Sequence, residues 1–412
     1  MTPGPALIVV PVSGAASAAL GAWVRSGSAH EPVDRAGITH LLEHLLLRRC
    51  GRRTPDEIAE LLDALGGDVD AFTTRETCAV TSHVTKERFA EALALTFDAL
   101  FRPHIEAEDL ESERGVIAAE FDLVRDSPGE VAAERALVAC WGSHPLARPV
   151  LGDRGVVRGL GRGDVERFHA ERFTAENLVL VAVGAVDEGL ISDEVARLPR
   201  GGVTPPVLSA PRWRPAMMVE ERRGLEQVYV HLALPALPSG HPDEFILGVL
   251  HQLLGAGNSS RLFRELRDRL GLVYEIDSSV YAAAAAGLLE VTFSAPVAQA
   301  DACWRAVLRV LEGVGQSDIT DHEVALAKQA LASGLVLGTE GVDALMEAYA
   351  GEMLARGRRF DRECTQRELD EVTPDRVRAL ARDLVRLDLL AGAVCGPRQG
   401  TRLPSVLRRR VA

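Results

Sequence analysis

The chain has 412 residues, 47% hydrophobic and 25% charged, a globular composition with enough apolar material for two full cores. Its 46 basic and 59 acidic side chains leave a net charge of −13. That balance argues against nucleic acid and anionic membrane surfaces as partners, because both require clustered positive charge.

Residues 1–24 carry no charged side chain, yet the first basic residue, Arg25, lies behind the apolar stretch, and Pro11, Gly14 and Gly21 interrupt it. An export signal needs positive charge ahead of its apolar core, and a membrane span needs about 20 apolar residues. The segment reads instead as two strands joined at Val12-Ser13-Gly14, in a cytoplasmic protein. Six cysteines without a CxxC pair read as small buried hydrophobes, not as a disulfide framework or a thiolate metal site.

A strand over 18–27 is followed by an apolar helix over 36–48 and a second helix over 55–65 that stops at Gly66-Gly67. Strand-like sequence covers 68–84, helices cover 86–100 and 106–125, and a helix over 164–173 leads into an apolar strand ending at Gly184. A Pro- and Gly-rich stretch from Leu198 through Pro215 then reads as a linker. Beyond it the order repeats. A strand over 228–234 precedes helices over 244–254 and 260–270, then come strands over 273–280 and 287–294. Helices over 298–314, 322–336 and 374–387 lead to a strand over 389–394 that stops at Gly396. Matching glycines in the two series are offset by 212 and 205 residues, the signature of a duplicated unit. The expected class is α+β: two homologous α/β-sandwich halves, each a mixed, mainly antiparallel sheet packed by helices. The expected division is 1–197, a linker over 198–220, and 221–412. The alanine run over 282–286 is ambiguous, since propensity favours helix and its neighbours favour sheet.

The first apolar helix contains His40-Leu41-Leu42-Glu43-His44. At 3.6 residues per turn, positions 40, 43 and 44 share a face. Two imidazoles one turn apart fit two corners of a zinc tetrahedron, and a glutamate beside them can serve as a base. The order HxxEH is the inverse of the commoner HExxH. A catalytic zinc takes a third protein ligand from another element, and the helix over 106–125 offers Glu113 and Glu120, two turns apart on one face. Glu120 follows Val116-Ile117-Ala118-Ala119, where a buried acid requires compensation such as a metal. On the residues alone, a surface acid reads equally well there.

His40-x-x-Glu43-His44, then 75 residues, then Glu120 resembles the pitrilysin/insulinase family of zinc peptidases, in the two-domain branch of the mitochondrial processing peptidases and bacterial relatives. The resemblance extends through Trp23-Val24-Arg25-Ser26-Gly27-Ser28, through Gly66-Gly67-Asp68-Val69-Asp70-Ala71-Phe72-Thr73, and through Glu113-Arg114-Gly115-Val116-Ile117. In the second half it covers Ser259-Ser260-Arg261-Leu262-Phe263, Arg267 and Gly271-Leu272-Val273-Tyr274. It implies that His40, His44 and Glu120 bind Zn²⁺, that Glu43 is the general base, and that Glu113 supports the site. It also implies that Arg267 and Tyr274 contact a peptide substrate, facing the zinc of a partner subunit in a dimer. Without the family, those two read as a helix-surface Arg and a core Tyr.

Three departures bear on substrate preference: Leu47-Arg48-Arg49 where the family commonly has Phe-x-Gly, Asp70 where it has Asn, and Ala79 and Val80 where it often has aromatics. The second apolar helix reads Val249-Leu250-His251-Gln252-Leu253-Leu254 and has no HxxEH, so one zinc per chain is expected. The implied activity is endopeptidase cleavage of short or unfolded peptides, in a homodimer or a heterodimer with a paralogue. Two further readings are a heterodimer's catalytic subunit that matures one precursor peptide, and a non-catalytic subunit of the same fold.

Overall fold

The computed structural model describes residues 4–316 and 318–410; positions 1–3, 317 and 411–412, which include the outer ends of the two expected halves, lie outside the described residues. Strands β1 (Ala6–Pro11), β2 (Ser17–Val24), β3 (Asp68–Thr73), β4 (Cys78–Thr85) and β5 (Leu178–Gly184) form a sheet ordered β1-β5-β2-β4-β3. Strands β6 (Met217–Glu221), β7 (Gln227–Ala236), β8 (Ile276–Ala282), β9 (Gly287–Pro296) and β10 (Ala391–Gly396) form a second sheet ordered β6-β10-β7-β9-β8. The permutation is the same in both. In each, the first strand runs parallel to the last and every other pair is antiparallel. The fold is therefore the expected duplicated α+β sandwich.

Local signals explain the element ends. Helix Pro55–Leu65 begins with Thr54 accepting from Glu57 N and the Glu57 carboxylate returning to Thr54 N, and it ends at Gly66 with φ 62°. The alanine run resolves as a turn between β8 and β9, closed by Ala283 N to Ala286 O at 2.9 Å. Cross-strand pairing outweighs helix propensity there. The segment expected as one helix over 260–270 is a short α-turn, Arg261–Phe263, continued by a π-helical stretch, Arg264–Arg269.

Two compact units divide the chain. The first gathers Met1–Asp122, Pro149–Val207 and Gly338–Phe360; the second gathers Leu123–Arg148, Leu208–Leu337 and Asp361–Ala412. In the first unit, one sheet face packs Leu20, Ala22, Val24 and Leu180 against Leu41, Leu45, Phe97 and Phe168. The other face, with Ile8, Trp23, Val181 and Val183, is covered by Met346 and Ala350 of the late helix Val342–Arg356. In the second unit, Val230, Leu232 and Val291 pack with Val249, Leu250, Trp304 and Val377. Its opposite face receives the early helix Pro128–Trp141, where Val131 and Ala132 meet Cys395 of β10. No disulfide forms among the described residues, and every cysteine except Cys364 is buried. No described helix is long and apolar enough to cross a membrane.

Candidate metal centre

The motif helix, Ile38–Leu46, owes its seat to Ile38, Leu41, Leu42, Leu45 and Leu46, all fully buried at offsets of three and four residues. Its start is fixed twice. Gly37 adopts φ 101°, and a Cβ there would lie 2.6 Å from the Leu151 carbonyl oxygen, so only glycine fits. The buried Glu31 carboxylate accepts from Gly37 N at 2.7 Å and Thr39 N at 2.8 Å, placing negative charge on the helix N-terminus. With the apolar face locked, His40, Glu43 and His44 turn together toward helix Ala107–Asp126.

Three donor groups converge. His40 Nε2 lies 3.7 Å from Glu120 Oε2, and His44 Nε2 lies 3.4 Å from Glu120 Oε1. One ligand atom each from His40, His44 and Glu120 falls within 4.8 Å of the others. Ligands about 2 Å from a tetrahedral ion sit about 3.3 Å apart, so these spacings suit a shared ion better than direct hydrogen bonds. His44 Nδ1–H donates to Glu113 Oε2 at 3.1 Å, which leaves Nε2 as the lone-pair donor aimed at Glu120. Burial, reinforced by His44, lowers the His40 pKa to about 4, so its imidazole is neutral at pH 7 and able to ligate. The donor set fits Zn²⁺. Glu120 is the wet side of the site: 33% of its side chain is exposed, against 13% and 14% for the two histidines.

Glu43 lies beside this cluster, with its Oε2 3.8 Å from His40 Nε2 and accepting from Thr73 Oγ1 at 3.3 Å. Burial raises its pKa to about 7, against the opposing pull of His44 and Thr73, with Glu120 and Asp70 adding to the rise. A carboxyl poised near neutrality can both take and return a proton.

Five expected site residues, His40, Glu43, His44, Glu113 and Glu120, thus meet in the first unit. Arg267 and Tyr274 belong to the second, where the Arg267 guanidinium lies 5.5 Å from the Tyr274 ring centroid and 4.7 Å from that of Phe263. Tyr274 is 86% exposed, so it is no core tyrosine. Thr73 and Glu31 were not legible as site residues. Thr73 is one hydroxyl in a polar strand end, and Glu31 sits seven positions before the helix it caps, outside any capping-box spacing.

The profile of the Insulinase (Peptidase family M16) domain matches residues 8–154, and that of the Peptidase M16 inactive domain matches residues 159–331. An uncharacterized zinc protease of Mycobacterium tuberculosis is 35% identical over 96% of this chain and 92% of its own length. The uncharacterized zinc protease YmxG of Bacillus subtilis is 26% identical over 90% of this chain and 91% of its own length. The beta subunit of the mitochondrial-processing peptidase of Dictyostelium discoideum is 26% identical over 92% and 84%. Among solved structures, a peptidase M16 inactive domain from Pseudomonas fluorescens superposes with a TM-score of 0.88 at 20% identity, covering 97% of each chain. A protease from Helicobacter pylori gives 0.85 at 18%, covering 96% of this chain and 97% of its own. The chain belongs to the M16 family of zinc metallopeptidases, on the branch that includes the processing peptidases.

Proposed function

We propose that this chain is a cytoplasmic zinc endopeptidase acting on short or unfolded peptides, with one zinc held by His40, His44 and Glu120 in the half spanning 1–197. What supports it most is the cluster of three donor atoms within 4.8 Å, flanked by the partly buried Glu43 carboxyl 3.8 Å from His40 Nε2. Bound there, zinc supplies a Lewis acid that makes water a nucleophile near neutral pH. Glu43 takes the proton of the attacking water on its carboxylate and delivers it to the leaving amine. Glu113 holds the His44 ring through Nδ1, and Thr73 steadies Glu43.

The edge strand β3 offers a backbone for a peptide to join as a sixth strand, a mode that tolerates varied sequences. Arg267 and Tyr274, carried by the half spanning 221–412, donate hydrogen bonds to the substrate backbone or the developing oxyanion, supplied in trans across a dimer. The naming of a relative as a processing-peptidase beta subunit favours a heterodimer as the second reading.

Glu43→Gln is expected to keep zinc and lose about 10²–10⁴-fold in turnover; full turnover in that variant refutes the assignment. Mixing Glu43→Gln with Arg267→Ala tests the partner. Regained activity after subunit exchange marks a homodimer with sites in trans, and none counts against it.

A further inference from the structure

Beyond the ligands and the base, a row of charges ties the two helices of the site together. Arg48 and Arg49 follow the C-cap Leu47 of the motif helix. The Arg48 side chain is 41% exposed, but its Nε is buried and makes no hydrogen bond; it stands at ion-pair distance from two carboxylates, 3.5 Å from Asp109 Oδ1 and 3.6 Å from Glu113 Oε1. Arg49 Nε donates to the other Asp109 oxygen, Oδ2, at 2.9 Å. Asp109 and Glu113 are only 4% and 8% exposed, and they stand one turn apart on the same helix. Like charges at that spacing repel, and burial makes an unpaired charge costly. Arg48 stands between the two, where it offsets both.

The division of oxygens carries the consequence. Glu113 faces Arg48 with Oε1 and receives His44 Nδ1–H on Oε2. Which oxygen faces the imidazole is thereby decided from the far side of the carboxylate. Asp109, held by the Arg49 hydrogen bond, presents its other oxygen to Arg48 as an ion pair. We propose that Arg48 is a positioning residue of the metal centre: by engaging Asp109 and Glu113 together, it holds the Glu113 carboxylate in the orientation that sets the His44 ring and its Nε2 toward the ion. The proposal rests on His40, His44 and Glu120 being the metal ligands.

The test is a zinc titration of the purified full chain against a competing chelator, for the unsubstituted protein, Arg48→Ala, Arg48→Lys and His44→Ala. Arg48→Ala is expected to weaken zinc binding by about 10- to 100-fold, the usual cost of removing a partner behind a metal ligand. Arg48→Lys, which keeps the charge, is expected to recover part of that loss. A residue that merely stabilised the fold would lower the melting temperature and leave the affinity of the folded chain unmoved. If Arg48→Ala fails to fold, Arg48→Gln carries the same expectation. Zinc affinity within twofold of the unsubstituted chain in the folded Arg48 variant overturns the proposal. Unchanged affinity in His44→Ala overturns the metal centre itself, and the proposal with it.

Discussion

Helices Ile38–Leu46 and Glu244–Leu254 occupy corresponding places in the two units, and both bury a leucine-rich face. Their histidines meet different fates. His40 and His44 look toward a carboxylate on a neighbouring helix, whereas His251 spends Nε2–H on the Ser278 carbonyl of β8 at 2.8 Å. Around His251 lies a cavity of about 490 Å³ lined by Leu237, Phe245, Leu247, Leu331 and Leu369, apolar where the first unit is charged. The start of each helix differs as well. Glu31 holds the backbone amides of Gly37 and Thr39, while Asp243 makes no side-chain cap and pairs with Arg376 instead. The two units therefore share sheet order and core packing and differ in a few side chains, with the cluster of donor groups in one of them.

The sharpest way to break this contrast is to remove a ligand. His44→Ala is expected to abolish stoichiometric zinc, measured by metal analysis, and to reduce peptide cleavage by at least about a thousandfold. Retained metal and activity would place the centre elsewhere. Next in size is Glu31→Ala, expected to lower unfolding stability by about 2 kcal/mol through loss of charged hydrogen bonds at a buried helix start. Denaturant titration would measure it, and a change under about 0.5 kcal/mol would show that the cap is dispensable.

The second unit offers a smaller and pH-dependent effect. Burial works to raise the Glu323 carboxyl, but hydrogen bonds from Arg261 and Thr320 hold it down to about 2. A carboxylate whose folded pKa lies below its unfolded value of about 4.3 stabilises fully above that value and loses the contribution as pH falls toward 2. Glu323 is partly exposed, so the contribution is about 1 kcal/mol after solvent screening. Stability of the unsubstituted chain should fall across that acid window, and Glu323→Gln should flatten the slope; identical slopes would contradict the pairing. Least of all, His251→Ala should cost about 1 kcal/mol for its hydrogen bond and leave zinc content untouched.

Much of this contrast was legible in the sequence. Pro55–Leu65 and Glu244–Leu254 lie where periodicity and glycine stops put them, because both signals are local. His40, Glu43 and His44 were legible for the same reason, as three positions on one helix face. Helices Pro128–Trp141 and Val342–Arg356 lie outside the elements predicted from the sequence. They hold the same place in the two series, 214 residues apart, yet each packs on the second face of a sheet built from the other series, a contact no local signal announces. The ties between Arg48 and Asp109, or Glu31 and Thr39, cross turns and helices whose approach only packing decides.

The late helix on the first sheet has a consequence for biosynthesis. Ile8, Trp23, Val181 and Val183 are covered by Met346, Ala350 and other residues of the helix Val342–Arg356, late in the chain. During synthesis this apolar sheet face precedes its cover by more than 150 residues, so the first unit is complete only once the helix Val342–Arg356 has been made. The first half to be translated is among the last to be finished.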